Sequence, residues 1–269
     1  MATGSEHRIR IDGVELRARL DGAASGPWLT FSNSLASDLH LWDTQVAALG
    51  GRFRILRYDT RGHGGSEPGP ENIDMARLVA DALALLDHFR IERTHFVGIS
   101  LGGMTGIGLA LAAPQRLATL TLVDCRADAP EAFQRQWDER CATARRHGMA
   151  PLVDGTLARW FTPRFHERQP ETVARIGAMI RATKPAGYIA CANAIKSLAY
   201  KPRLGEIRTP TLLLCGRSDQ PLPEAMRAMA QAIPGSRYVE IEDAAHIPNI
   251  EQPDAFLAPL DAFLASGRH

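Results

Sequence analysis

The sequence predicts an α/β fold, a mostly parallel sheet flanked by helices and interrupted once by an inserted helical cap. Three observations carry this. Short β-branched and apolar runs alternate with helical patterns along most of the chain. The central runs are apolar at nearly every position, as strands buried on both faces are. Between Cys125 and Thr209 the alternation stops, and helical patterns with breaks at Pro151, Pro163, Pro170 and Pro185 take over. A structureless loop of that length is implausible inside a domain, so the interval reads as an insertion of helices.

The elements follow in order. "RIRID" and "VELRARL" flank Gly13 as an opening hairpin. "WLTFS" (28–32), "FRILRY" (53–58), "HFVGI" (95–99), "LTLVDC" (120–125), "TLLLCG" (211–216) and "RYVEIE" (237–242) are the remaining strand candidates. "DMARLVADALALLDHF" (74–89) repeats its apolar residues at helical spacing, with Asp74 as the N-cap. "DAFLAPLDAFLAS" (254–266) reads as a closing helix that Pro259 should kink or shorten. The chain thus divides into a core of residues 1–127 and 205–269 and a cap of residues 128–204.

Composition narrows the function. The 269 residues suit one large domain with an insertion. With 31 basic and 30 acidic residues, a formal net charge of +1 offers nothing to nucleic acid or an anionic membrane. "MATGSEHRIR" has neither an apolar h-region nor a cleavage pattern, and no run approaches the ~18 apolar residues of a membrane span, so a cytoplasmic location is expected. Cys125, Cys141, Cys191 and Cys215 are scattered and form no C-x-x-C pair, which reads as reduced thiols.

The chemistry centres on "THFVGISLGGMTG" (94–106). Glycines at a strand-to-helix turn either cradle a phosphate or present a nucleophile. The phosphate reading lacks the lysine of G-x-x-x-x-G-K-[ST], and Gly98-Ile99-Ser100-Leu101-Gly102 is not G-x-G-x-x-G. It is G-x-S-x-G in the strand–turn–helix setting that a nucleophilic serine requires. At so tight a turn, a Cβ two residues either side of Ser100 would meet neighbouring backbone. A hydroxyl is a weak nucleophile, so an acid and a base should follow in the order Ser, Asp, His. Asp219, in "GRSDQPLP", and His246, in "EDAAHIPNIEQP", both lie in loops after strand candidates. In a parallel sheet those loops share one edge and can converge on Ser100. Asp124 also ends a strand and is the rival acid. His40, His63 and His95 read as structural. The oxyanion donors are expected from the backbone N–H of Leu101 and of Ser34, in "SNSLASD", where Asn33 tolerates positive φ.

These residues together resemble the α/β-hydrolase superfamily over essentially the whole chain, which implies an eight-stranded α/β-hydrolase fold. "SNSLASDLHLWDTQ" (32–45), "RFRILRYDTRGHGGS" (52–66) and "HIPNIEQPDAF" (246–256) look like the 3-oxoadipate enol-lactonases of aromatic catabolism. The resemblance implies a serine hydrolase acting on a carboxylic ester or lactone, with Ser100, Asp219 and His246 as nucleophile, acid and base. Its partner is then a small ester or lactone that can carry a carboxylate, and neither a metal nor an organic cofactor is implied. One segment departs: "CRADAP" (125–130) stands where the lactonases carry a small polar run of Asn-Thr-Ala type. It brings Arg126 to the cap entrance, and Arg135, Arg140, Arg145, Arg146 and Trp137 follow in the cap. Arg126 and Trp137 are the pocket candidates, and a cap arginine could clamp a substrate carboxylate through paired N–H donors. Three alternatives remain open from sequence: an esterase or lactonase of other specificity, a C–C bond hydrolase, and a non-enzymatic ligand-binding protein.

Overall fold

In a computed structural model, which describes residues 4–266, each predicted run forms a strand. They are β1 (Ser5–Ile11), β2 (Val14–Gly22), β3 (Trp28–Ser32), β4 (Arg54–Tyr58), β5 (Thr94–Ile99), β6 (Leu117–Val123), β7 (Thr211–Gly216) and β8 (Arg237–Ile241). They build one sheet in the order β1-β2-β4-β3-β5-β6-β7-β8. β2 pairs antiparallel with β1 and with β4, and every other neighbouring pair is parallel. β5 and β7 are buried at every position, as their unbroken apolar sequence requires, whereas edge strand β1 alternates. The carboxyl ends of β3 to β8 therefore share one edge of the sheet. There the loops after β5, β6, β7 and β8 lie side by side, the usual place for a ligand site in such a fold.

The helices are α1 (Asp43–Leu49), α2 (Met75–His88), α3 (Leu101–Ala112), α4 (Glu131–His147), α5 (Val153–Trp160), α6 (Pro163–Arg168), α7 (Pro170–Ala182), α8 (Pro185–Lys196), α9 (Leu222–Ala232), α10 (Pro248–Glu251) and α11 (Pro253–Ser266). The Asp74 carboxylate caps α2 by accepting the Arg77 N–H at 3.0 Å. Met75, Leu78, Val79, Ala82, Leu85 and Leu86 form its buried stripe. Three of the prolines read as breaks, Pro163, Pro170 and Pro185, are the first residues of helices, where a missing N–H costs nothing. Pro259 is a correction to the expectation for α11, which runs through it from Pro253 to Ser266 without being cut short. Buried Phe256, Leu260, Phe263 and Leu264 hold the helix on either side of the lost hydrogen bond.

Between β6 and β7 the chain forms α4 to α8 and two short 3-10 turns, and among the described residues its only β pairing is an isolated bridge between Asp128 and Ala199. The carbonyl of Ala127 accepts the N–H groups of both Tyr200 and Lys201, at 2.8 and 2.9 Å, so the chain leaves and rejoins the sheet at one point. The helical block also touches the loop after β4. A Cβ on Gly62 would lie 2.2 Å from the Cα of Gly187, at the start of α8. Beside that contact, Lys184 Nζ donates to the Ser66 carbonyl at 2.9 Å and Asn193 Nδ2 to the Glu71 carbonyl at 3.3 Å.

His63 in the same loop is fully buried, with Nδ1 3.0 Å from the Arg61 carbonyl and Nε2 without a partner among the described residues. Burial lowers its pKa from 6.5 to about 4, and the Arg61 carbonyl offsets only part of that. Below pH 6.5 the unfolded chain binds a proton that the native state refuses, so His63 costs stability as the pH falls from 6.5 towards 4. The loss accumulates at about 1.4 kcal/mol per pH unit, roughly 3 kcal/mol over the window. Urea midpoints between pH 7 and pH 4.5 should accordingly fall more steeply for the wild type than for His63→Gln. Parallel curves would contradict a neutral His63.

Candidate active site

Ser100 sits between β5 and α3 with φ 54° and ψ −113°, a strained conformation for a residue bearing a Cβ. The glycines around it allow the turn. A Cβ on Gly98 would lie 2.2 Å from the Gly102 carbonyl oxygen, and one on Gly102 would lie 2.2 Å from that of Ser32. The Ser100 N–H donates to the Val123 carbonyl at 2.8 Å, which locks the turn to β6. Its side chain lines a cavity of about 420 Å³ under the helical block, at the positive end of α3.

Two backbone N–H groups, one on the serine turn and one on the loop tied to it, are candidate donors. Leu101 opens α3, so its N–H has no intrahelical acceptor. The Ser34 N–H has no acceptor among the described residues either, and Ser34 lines the same cavity. The Gly102 N–H donates to the Asn33 carbonyl at 2.9 Å, which ties the Ser34 loop to the serine turn. Asn33 itself is not in the positive-φ region; the left-handed residue of this loop is Ala36, at φ 63°. Asn33 instead braces the loop by donating from Nδ2 to the Tyr58 carbonyl at 2.8 Å.

Loops after β7 and β8 bring Asp219 and His246 together, with His246 Nδ1 2.6 Å from Asp219 Oδ2. The His246 loop is held by buried Glu251, whose carboxylate accepts the N–H of Ala245 at 2.8 Å and of Thr162 at 2.9 Å. Trp160 of α5 lies nearly parallel to the imidazole, with centroids 6.2 Å apart, and shields it from one side. No hydrogen bond joins Ser100 Oγ to His246 among the described residues, although both line the cavity. Such bonds are commonly loose without substrate. Asp124, the rival acid, also reaches the cavity but makes no hydrogen bond to His246. It is fully buried after β6, and Oδ1 accepts the Gly216 N–H at 2.9 Å.

The arginines separate by orientation. Arg126 lines the cavity but is engaged, with Nε donating to the Asp128 carbonyl at 2.8 Å and Nη2 3.1 Å from its carboxylate. Its guanidinium also lies over the Phe133 ring at 4.2 Å. Trp137 is buried in the cavity wall. Arg135 pairs with Glu131, Arg145 pairs with Glu71, and Arg146 donates to the Ala142 carbonyl, all three on exposed surface. Arg140 does line the cavity, over the Trp137 ring at 4.8 Å. Sequence reasoning missed Arg159, at the cavity rim. Arg159 follows Thr156 at helical spacing beside the buried stripe of α5, and that spacing was the available signal. Its guanidinium donates to the Gly155 carbonyl at 2.8 Å. Packing around that group, and then the charge of Arg140, hold its pKa below the usual arginine value. Neither Arg140 nor Arg159 pairs with a carboxylate among the described residues.

Comparison with known proteins adds four findings. The 3-oxoadipate enol-lactonase 2 of Acinetobacter baylyi is 36% identical over 254 residues, covering 93% of each chain. The crystal structure of an enol-lactonase from Burkholderia xenovorans LB400 superposes with a TM-score of 0.91 at 39% identity, covering 96% of this chain and 100% of that one. A thermophilic esterase from Thermogutta terrifontis with malate bound superposes equally, with a TM-score of 0.91 at 28% identity over 98% of this chain and all of its own. Residues 27–253 match the family described as the alpha/beta hydrolase fold. With that match, the eight-stranded sheet and Ser100 raised at its carboxyl edge, the chain belongs to the α/β-hydrolase family and resembles the 3-oxoadipate enol-lactonases within it.

Proposed function

We propose that this chain is a serine hydrolase that opens a carboxylate-bearing lactone, 3-oxoadipate enol-lactone or a close chemical relative, through an acyl-enzyme. The observation that carries this is one cavity lined by Ser100, the His246–Asp219 pair and two arginines that pair with no carboxylate among the described residues. The names of the lactonase relatives support the reaction, and malate, a dicarboxylate, in the related esterase supports the charge of the ligand.

The steps follow from the groups present. The lactone carbonyl sits against Ser100 Oγ, its oxygen toward the N–H groups of Leu101 and Ser34. His246 Nε2 takes the serine proton during attack, while Asp219 holds the proton on Nδ1 and stabilises the imidazolium. The two N–H groups stabilise the oxyanion, in a site partly covered by the helices above. Collapse opens the ring and leaves the acyl group on Ser100. The leaving oxygen is that of an enol, a weaker base than an alkoxide, so it needs less help from His246 to depart; it takes the proton from Nε2 and leaves the imidazole neutral. Water, deprotonated by His246, then attacks the acyl-enzyme, and His246 returns that proton to Ser100 Oγ as the acid leaves. Residues 128–204 act in this scheme as a cap that supplies the far wall of the pocket.

Arg140 and Arg159 stand where a ligand carboxylate gains most, since neither has a counter-ion among the described residues. A hydrogen bond to a charged group contributes about 1.5–3 kcal/mol, so Arg159→Gln should raise KM for the enol-lactone about 10–100-fold. Turnover of an uncharged aryl ester such as phenyl acetate should change little. Equal losses on both substrates would remove the carboxylate from the proposal. Stoichiometric labelling of Ser100 by a fluorophosphonate, with no turnover of lactone or ester, would instead make the chain a binding protein.

A further inference from the structure

Asp124 is the one carboxyl at the site without a role in these steps. It follows β6 at φ 40° and is fully buried. Oδ1 accepts the Gly216 N–H at 2.9 Å and the Cys215 thiol at 3.2 Å. Oδ2 is equally buried and has no hydrogen-bond partner among the described residues. A carboxyl oxygen of Asp124, one of Asp219 and a ring nitrogen of His246 lie within 4.8 Å of one another. An ionised carboxyl only accepts hydrogen bonds, so two ionised carboxyls here would leave Asp124 Oδ2 orphaned and facing a like charge. One proton on Oδ2 removes both penalties and makes Asp219 its acceptor.

We propose that Asp124 stands as a neutral carboxylic acid that donates its Oδ2 proton to the Asp219 carboxylate, and so positions that carboxylate for His246. The inference rests on the assignment of Asp219 as the acid of the site. Burial, followed by the charge of Asp219, pushes the Asp124 carboxyl well above the usual carboxylate range. The titratable groups that face it are Asp219 and His246 from the loops after β7 and β8, and the thiols of Cys125 and Cys215. Burial raises both thiols, so they remain protonated, and no arginine or lysine pairs with Asp124 among the described residues. The N–H and thiol on Oδ1 suit a neutral carbonyl oxygen as acceptor. Asp124 is therefore a positioning residue: its proton occupies the Asp219 carboxyl and fixes its plane while the imidazole shuttles the serine proton.

Infrared difference spectroscopy of the whole protein at neutral pH, with aspartate isotopically labelled, reads the proton directly. The carbonyl stretch of a protonated carboxylic acid should be present in the wild type and absent in Asp124→Asn. Kinetically, Asp124→Ala should lower kcat about 10–100-fold with KM nearly unchanged, the worth of one hydrogen bond to a charged group. Asp124→Asn should recover most of that loss, because its amide oxygen can accept from Gly216 while Nδ2 donates to Asp219. A wild type without the band overturns the proposal, and so does an Asn variant as impaired as Asp219→Asn. Should Asp124→Ala fail to fold, the band and the Asn variant decide. The band does not depend on turnover, so its presence in a protein whose Ser100→Ala variant remains active would separate this proposal from a failure of the functional assignment.

Discussion

Replacement of Ser100 by alanine is expected to lower kcat by about 10⁴–10⁶-fold while the protein folds as before. Both halves of this expectation come from the geometry. Ser100 Oγ makes no hydrogen bond among the described residues, so its removal orphans no buried partner. The backbone strain at φ 54° is the same for alanine as for serine, since each carries one Cβ. What disappears is the atom that, in the proposed mechanism, bonds to the carbonyl. The N–H groups of Leu101 and Ser34 and the cavity remain, so binding and a weak residual rate should persist. Steady-state kinetics with circular dichroism and a thermal melt check the two halves together. A folded Ser100→Ala enzyme with near-normal activity would overturn the mechanism.

Asp219→Asn should cost about 10⁴-fold in kcat with a small change in KM. At 2.6 Å from His246 Nδ1, the carboxylate accepts the proton on that nitrogen and leaves Nε2 bare toward the cavity. An amide at the same place either accepts without the charge that stabilises an imidazolium, or turns its NH₂ to the ring. The second orientation forces the proton onto Nε2, where the histidine can no longer take one from Ser100. The measurement is kcat for the lactone in both single variants at saturating substrate. If Asp124→Asn proves far more damaging than Asp219→Asn, and both fold, Asp124 is the acid and the roles exchange.

The sheet was legible because burial on both faces leaves its mark on each strand separately. "TLLLCG" and "HFVGI" need no tertiary information to be read as strands, and their order along the chain places the loops after them on one edge. The serine turn was legible for the same local reason, since two glycines spaced around Ser100 report a steric demand within five residues. The pocket was not. Arg135, Arg140 and Arg145 look alike in sequence, and only the packing of α4 against α8 turns Arg140 inward and leaves the others on Glu131 and Glu71. The neighbourhood of Asp124 and Asp219 arises from the pairing of β6 with β7, between residues about ninety positions apart. Asn33 shows the limit of propensity: the loop puts its left-handed residue at Ala36, while the asparagine amide serves as a strut to Tyr58.

The contact between Gly62 and Gly187 bears on how such enzymes can be rebuilt. With bare Cα atoms meeting across the two segments, neither position accepts even a methyl group without parting the backbones. Specificity in this architecture invites modular exchange, in which one relative's helical block is transplanted onto another's sheet. Here the joint is not confined to the splice points at Ala127 and Tyr200, because it includes a third fastening far away in sequence. A working chimaera must therefore import the loop after β4 together with α8, or keep glycine on both sides of that seam.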